Sequence, residues 1–243
     1  MRGATLTRRA AGSEVLAAEN IPIIRVAFER TVRLVTTARL RAAVLSVLVR
    51  EEEIGILAEI EGATSQRLLA ENNSGGALVR DDLVHGVPFA SFINASFAYF
   101  KPGQPNRFNE DRGAWYSALQ TDVCIAEVAW HMSGFLAHAG SRDAIVDYAE
   151  LFASMAGNFM DLRNSLDHPA LHPDTAIGYP HGNRLARQAR SSGLNGIIYP
   201  SVRFPGGVCV AALIPHAVQS VAQGGVYRLT WAGKAQPAVE KIV

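Results

Sequence analysis

The apolar positions of this chain change period several times. Residues 21–35 are rich in Ile, Val and Arg without helical spacing and read as extended chain, with Pro22 suited to the opening of a strand. Behind Thr36-Thr37, a candidate N-cap, Leu40, Val44, Leu45, Val47 and Leu48 recur at helical steps. Ile54, Leu57, Ala58 and Glu61 carry a second helix to Gly62, and residues 64–69 a short third one, before Asn72-Asn73-Ser74-Gly75-Gly76 breaks the pattern.

The second half reads differently. Residues 89–100, rich in aromatics and ended by Lys101-Pro102-Gly103, predict a strand, and 114–119 a shorter one. Thr121-Asp122 caps a helix through Ile125, Val128, Ala129 and Met132 to about His138. Residues 144–153 and 157–162 predict extended segments around a turn, 182–192 a basic helix stopped by Gly193, and 196–201, 207–214 and 226–231 three strands. Helices and strands mix without regular alternation, which argues for an α+β fold over a doubly wound sheet. Without an internal repeat, residues 21–243 read as one domain with a helical insertion at about 36–75, preceded by a loose arm at 1–20.

Composition narrows the function classes. Among 243 residues, 23 basic side chains face 22 acidic ones, so a net charge of +1 leaves no footprint for direct nucleic-acid binding. With 49% apolar and 19% charged residues, the bulk of the chain can build a core. Two cysteines, Cys124 and Cys209, make neither a disulfide framework nor a Cys-rich zinc site. No run reaches the roughly 18 apolar residues of a membrane span, and the first twenty residues lack the apolar stretch of a secretory signal. A cytoplasmic protein without membrane contact is the expectation.

Four segments pair a polar residue with a backbone able to hold it. In Asn106-Arg107-Phe108-Asn109, the arginine could fork onto a phosphate or ribose hydroxyl and Phe108 offer a ring to a base; an ordinary surface arginine also fits. Tyr116, in Trp115-Tyr116-Ser117-Ala118, could stack on a planar ring ahead of the helix bearing Glu127 and His131, four apart on one face. A Glu on so apolar a helix is costly to bury unpaired, so Glu127 either carries chemistry or pairs structurally. The pair Glu127/His131 could begin a metal site, but HExxH is absent and no third ligand has suitable spacing, so no metal is expected. Ser201 and Arg203 follow a strand that ends at Pro200, where loop hydroxyls are commonly solvated. Arg33, within Thr31-Val32-Arg33-Leu34-Val35, either binds a ligand or covers the core edge with its stem. Nucleophile-elbow, Walker and G-x-G-x-x-G patterns are absent.

Taken in order, these segments resemble the RES-domain family. The similar pattern is the strand arginine of 31–35, the turn 106–109, Tyr116-Ser117-Ala118, Ala126-Glu127-Val128, the run from Gly196 to Arg203, and Pro205-Gly206-Gly207-Val208-Cys209-Val210. It spans about residues 30–232. The resemblance implies an ADP-ribosyltransferase-like, bent and split β-core with flanking helices, the N-terminal helices being an elaboration. It also implies the toxin of an Xre/RES-type toxin–antitoxin pair that consumes NAD by hydrolysis, phosphorolysis or ADP-ribosylation of a protein. Its partner would be an antitoxin with an Xre-like helix-turn-helix domain.

On that resemblance, Glu127, Tyr116 and Arg33 are the catalytic residues, and Arg33, Arg107, Phe108, Tyr116, Ser201 and His131 surround NAD. Glu127 would stabilise positive charge growing on the ribose, Arg33 and Arg107 would hold the pyrophosphate or ribose, Tyr116 would stack on nicotinamide and Ser201 would bond the ribose. Asn106 stands where the family often has Gly. The long separation of Arg33 from Arg107 makes Arg67 an alternative to Arg33, and resembles the branch that includes protein ADP-ribosyltransferases. Two other readings stay open: a non-catalytic nucleotide- or partner-binding module, and an assembly protein using 89–100 as an interface strand.

Overall fold

The computed structural model describes residues 21–38, 40, 80–98 and 106–243. The arm at 1–20, the helical segments expected at about 41–69, the loop at 72–76 and Arg67 lie outside the described residues. Seven strands form the sheet: β1 (Ile23–Thr36), β2 (Trp115–Ala118), β3 (Asp143–Asp161), β4 (Gly196–Pro200), β5 (Val208–Ala212), β6 (Val218–Ala232) and β7 (Ala238–Lys241). Among the described residues, three helices flank it: α1 (Ala90–Ala98), α2 (Thr121–His138) and α3 (Thr175–Ser191). The fold is α+β, as the irregular pattern along the chain implies.

The strand order is β1-β2-β5-β4-β3-β6-β7, with a further pairing of β1 with β3. That pairing runs antiparallel from Ile23–Met160 to Thr36–Tyr148, so β1, β2, β5, β4 and β3 close back on one another. Along its other edge, β3 holds β6 as far as Met155 and then β4 from Phe159, with which it runs parallel. Between them stands Gly157 at φ +137°, a conformation nearly closed to residues with a Cβ. The two extended segments expected at 144–153 and 157–162 are therefore one strand: the change of partner, not a turn, is what the glycine serves.

Both faces of the sheet are covered, so its central strands are apolar without alternation. Ile197, Tyr199, Cys209 and Ala211 belong to one core with Val123, Leu185 and Trp231; Ile198, Val210 and Ala212 belong to the other with Ile93, Phe97 and Trp115.

Residues 90–98 form a helix where a strand was expected. Aromatic content suggests β structure, but Phe89, Ile93 and Phe97 stand four apart, and that period puts Ile93 and Phe97 on the buried face. Asn94 closes the segment below by accepting from Val84 N (3.0 Å) and donating to Val84 O (2.9 Å). The interface strand imagined at 89–100 is thus not formed over the described part.

Gly157 generates a test. A Cβ there would overlap the Asn195 carboxamide, which accepts from Asn158 N at 2.8 Å. Gly157→Ala is expected to lower unfolding free energy by about 1–3 kcal/mol in urea denaturation.

Candidate functional site

The turn at 106–109 depends on α3, which begins seven residues before the expected start. Asp174 caps it by accepting from Ala176 N (2.9 Å), and Pro180 is carried inside the helix. One face of α3 grips the turn. Gly178 and Gly182, one helical turn apart, leave space filled by Arg107: a Cβ at Gly178 would meet the guanidinium, and one at Gly182 the Arg107 carbonyl. Asn183 donates to Asn106 O (2.8 Å) and accepts from Glu110 N (2.9 Å). Arg187 pairs with Glu110, and Arg190 donates to the carbonyls of Phe108, Arg112 and Gly113, each at 3.2 Å. Burial draws the Arg190 guanidinium down to about 10, still a cation at neutral pH.

Arg107 is not an ordinary surface arginine: only 6% of it is exposed. Its Nη1 donates to the carbonyls of Ala170 and His172, and its guanidinium lies over the Tyr179 ring at 5.4 Å. Tyr116 secures the turn from the sheet side. Its hydroxyl accepts from Phe108 N (2.9 Å) and donates to Asn109 Oδ1 (3.3 Å), and burial holds the phenol protonated, well above its ordinary value.

The expected ring face of Phe108 is corrected here. Phe108 is fully buried, edge-on to Tyr199 at 5.0 Å and stacked beside Tyr116, so it packs beneath the site and offers nothing to a base. The N-cap of α2 also differs: the cap residue is Gln120, and Thr121 Oγ1 donates instead to the buried carboxylate of Glu150 (2.6 Å).

Helix α2 lays Cys124, Glu127, Val128, Trp130 and His131 along a pocket of about 290 Å³. Arg33, Arg107 and Tyr116 line it too, joined by Tyr179, Tyr199, Arg203 and Cys209. Arg33 lines the pocket, and its guanidinium lies over the buried Trp115 ring at 4.6 Å. Ser201 orients the acid: its Oγ donates to Glu127 Oε1 (2.6 Å) and accepts from Arg203 N and Phe204 N, both 3.1 Å. That uses the donor and both lone pairs of the hydroxyl.

Both thiols are buried and unbridged. Burial pushes Cys124 up to about 12, and burial together with Glu127 raises Cys209 well above its ordinary value, so neither is a thiolate nucleophile at neutral pH. His131 is held below the usual imidazole value, first by desolvation and then by Arg203 and Arg107. Among the described residues, no group of three or more His, Cys, Asp or Glu side chains could hold a metal ion, and no helix is long and apolar enough to cross a membrane.

Tyr179, Trp130 and Tyr199 are among the pocket residues to which the sequence reading gave no role, and Arg203, noted there beside Ser201, was given none toward NAD. Tyr179 was hidden because Pro180 and the glycines disguise the first half of α3; the Asp174 cap and the four-residue glycine spacing are the signals that reveal it. Trp130 sits three residues after Glu127, and Arg203 two after Ser201.

Fold and site define a mixed α+β protein whose pocket sets one carboxylate among several guanidinium groups. The chain belongs to the RES-domain family, whose family model matches residues 83–232. That family is often toxin-like and is associated with NAD-related enzymatic activity. The chain is also similar to "Uncharacterized protein y4oC" of Sinorhizobium fredii, 26% identical over 197 residues, which cover 79% of this chain and 78% of that protein.

Two outcomes are expected from this geometry. Asn183→Ala removes the partners of Asn106 O and Glu110 N and should cost about 1–3 kcal/mol in chemical denaturation. For His131, the folded state refuses a proton that the unfolded chain accepts once pH falls below the ordinary value of 6.5. The stability it permits is complete above that value and declines as pH drops beneath it. His131→Gln should flatten that part of the slope in urea midpoints compared at about pH 7.5 and about pH 5.5.

Proposed function

We propose that the chain consumes NAD by cleaving its nicotinamide–ribose bond, on an ADP-ribosyltransferase-like scaffold, as the toxin of a toxin–antitoxin pair. The observation that carries this reading is the Glu127 carboxylate, fixed by Ser201 in a pocket otherwise lined by guanidinium and aromatic groups. Family membership supports the substrate class.

In this mechanism the C–N bond breaks with its electron pair leaving on nicotinamide, which departs neutral. The ribose carbon gains oxocarbenium character, and the Glu127 carboxylate stabilises that charge most strongly in the transition state. Attack by an oxygen nucleophile of water, phosphate or a protein side chain then forms the new C–O bond, with loss of its proton to solvent or to a base. Ser201 acts through Glu127 by fixing the rotamer of the acid. Tyr116, held by its hydroxyl bonds, presents its ring to the nicotinamide, and Arg33 and Arg107 bind the anionic part of the substrate. His131, one turn beyond Glu127, stays neutral at physiological pH and borders the same substrate. An antitoxin with an Xre-like helix-turn-helix domain is the proposed partner, acting in the cytoplasm.

Purified protein is expected to release nicotinamide from NAD, measured by chromatography. Glu127→Gln should reduce the rate by about a hundredfold or more while leaving the thermal unfolding midpoint near that of the parent. Equal activity in the variant would remove Glu127 from its role. Mass spectrometry of the ribose-bearing product identifies the acceptor.

A further inference from the structure

The pocket has a direction. Its inner part is built on Tyr199 and Arg107, each 6% exposed, whereas Trp130 is 38% exposed and Arg203, like Tyr116, is half-buried. Arg203 therefore stands nearer the mouth. Its position is built from three sides: its backbone N–H donates to Ser201 Oγ (3.1 Å), its Nη2 donates to Pro173 O (2.8 Å), and its guanidinium carbon stands 3.5 Å from the centre of the Trp130 ring.

Arg203 and Arg107 line the same pocket, and neither has a carboxylate within ion-pair distance among the described residues. Glu127 is the one carboxylate lining that cavity among the described residues, and it acts on Arg203 through space without an ion pair, so the guanidinium groups outnumber the acid and an entering anion would supply balancing charge. Pocket size adds a second constraint. About 290 Å³ falls just below the range of roughly 300–1,000 Å³ that drug-sized ligands occupy, and a dinucleotide is larger than most of these. Part of such a substrate must extend through the mouth, past Trp130 and Arg203.

Resting on the function proposed above, we infer that Arg203, braced by Trp130, binds the adenosine-side phosphate of the substrate's diphosphate and so selects dinucleotides over mononucleotides. Arg107 and Arg33 serve the inner part of the same molecule. Arg203 is a specificity residue: it binds a part of the substrate that does not react.

The test uses the full chain and three probes: NAD, nicotinamide mononucleotide and ADP. Mononucleotide carries the scissile bond but no adenosine-side phosphate, and ADP carries the diphosphate without the scissile bond. Arg203→Gln should weaken ADP binding about tenfold by calorimetry and raise KM for NAD by a similar factor, with kcat changed little and mononucleotide turnover unaffected. Arg203→Lys keeps the charge but loses the fork, and should fall between the two. Trp130→Leu, which leaves Arg203 unbraced, should weaken ADP binding in the same direction, and circular dichroism reports whether each variant is folded.

ADP binding equal in parent and Arg203→Gln would overturn the assignment, as would no ADP binding by the parent. An equal fall in kcat for NAD and mononucleotide would do so too, by placing Arg203 at the reacting end. A parent that binds ADP through Arg203 but turns over no NAD would leave the diphosphate site standing and remove the catalytic reading.

Discussion

A buried cation organises this molecule. Removing the Arg107 guanidinium from water costs several kcal/mol unless its donors are satisfied and its charge is answered. The chain meets that cost with backbone: the carbonyls of Ala170 and His172 receive Nη1, and two glycines on α3 let the helix approach until it touches the arginine. Every neighbouring element is arranged around that contact. The loop between β3 and α3 must bring its carbonyls inward, α3 must present its small face, and Asn183 and Arg190 must hold the turn that carries Arg107. Because Tyr116 bonds the same turn from β2, the arginine is also tied in place to the sheet.

The acid is located by a separate device. Glu127 rides on α2, whose inner face packs Val123 and Cys124 into the core and whose first turn is tied to the β3–β6 bulge through Thr121 and Glu150. Ser201 approaches from the end of β4, where Ser201 N donates to Gly207 O (2.8 Å) and shapes the tight turn to β5. Gly207 is needed there, since a Cβ would press on Val123. The Ser201–Glu127 bond thus joins a helix and a strand end that are 74 residues apart. Its geometry is set by two packed cores, which is how a carboxylate acquires one rotamer in a pocket open to water.

Much of this was legible in the residues. The strand of Arg33, the helix of Glu127 and the strand leading to Ser201 could be read because each is an apolar-rich run with a boundary signal: Pro22 before the first, Thr121-Asp122 at the start of the second and Pro200 at the end of the third. The four-residue step from Glu127 to His131 put both on one face, where they line the pocket. Three features were not legible, each for a physical reason. Helix α1 looked like a strand because its aromatic content outweighed the spacing of Phe89, Ile93 and Phe97. The first half of α3 was concealed by Gly178, Pro180 and Gly182, poor helix formers in isolation that tertiary contact with Arg107 explains. Phe108 looked available beside a binding arginine, although backbone contacts from Tyr116 and Arg190 turn it into the core. A near-neutral total charge said nothing of this, since the relevant charges are local.

Those local charges pose a problem that the substrate itself would solve. Arg33, Arg107 and Arg203 share a cavity with a single carboxylate, and in the proposed reaction positive charge develops on the ribose beside them. Two unit charges roughly 7 Å apart interact by about 2 kcal/mol at an effective dielectric near 20, so the guanidinium charges would oppose the very charge that Glu127 favours. A diphosphate bound by the arginines reverses that balance: it neutralises two of the cations and leaves the carboxylate to act on the ribose. The arginines then do more than hold the substrate. In the proposed reaction they would make productive electrostatics conditional on the presence of a diphosphate, so that recognition of the distant half of a dinucleotide and stabilisation of the reacting half become one event.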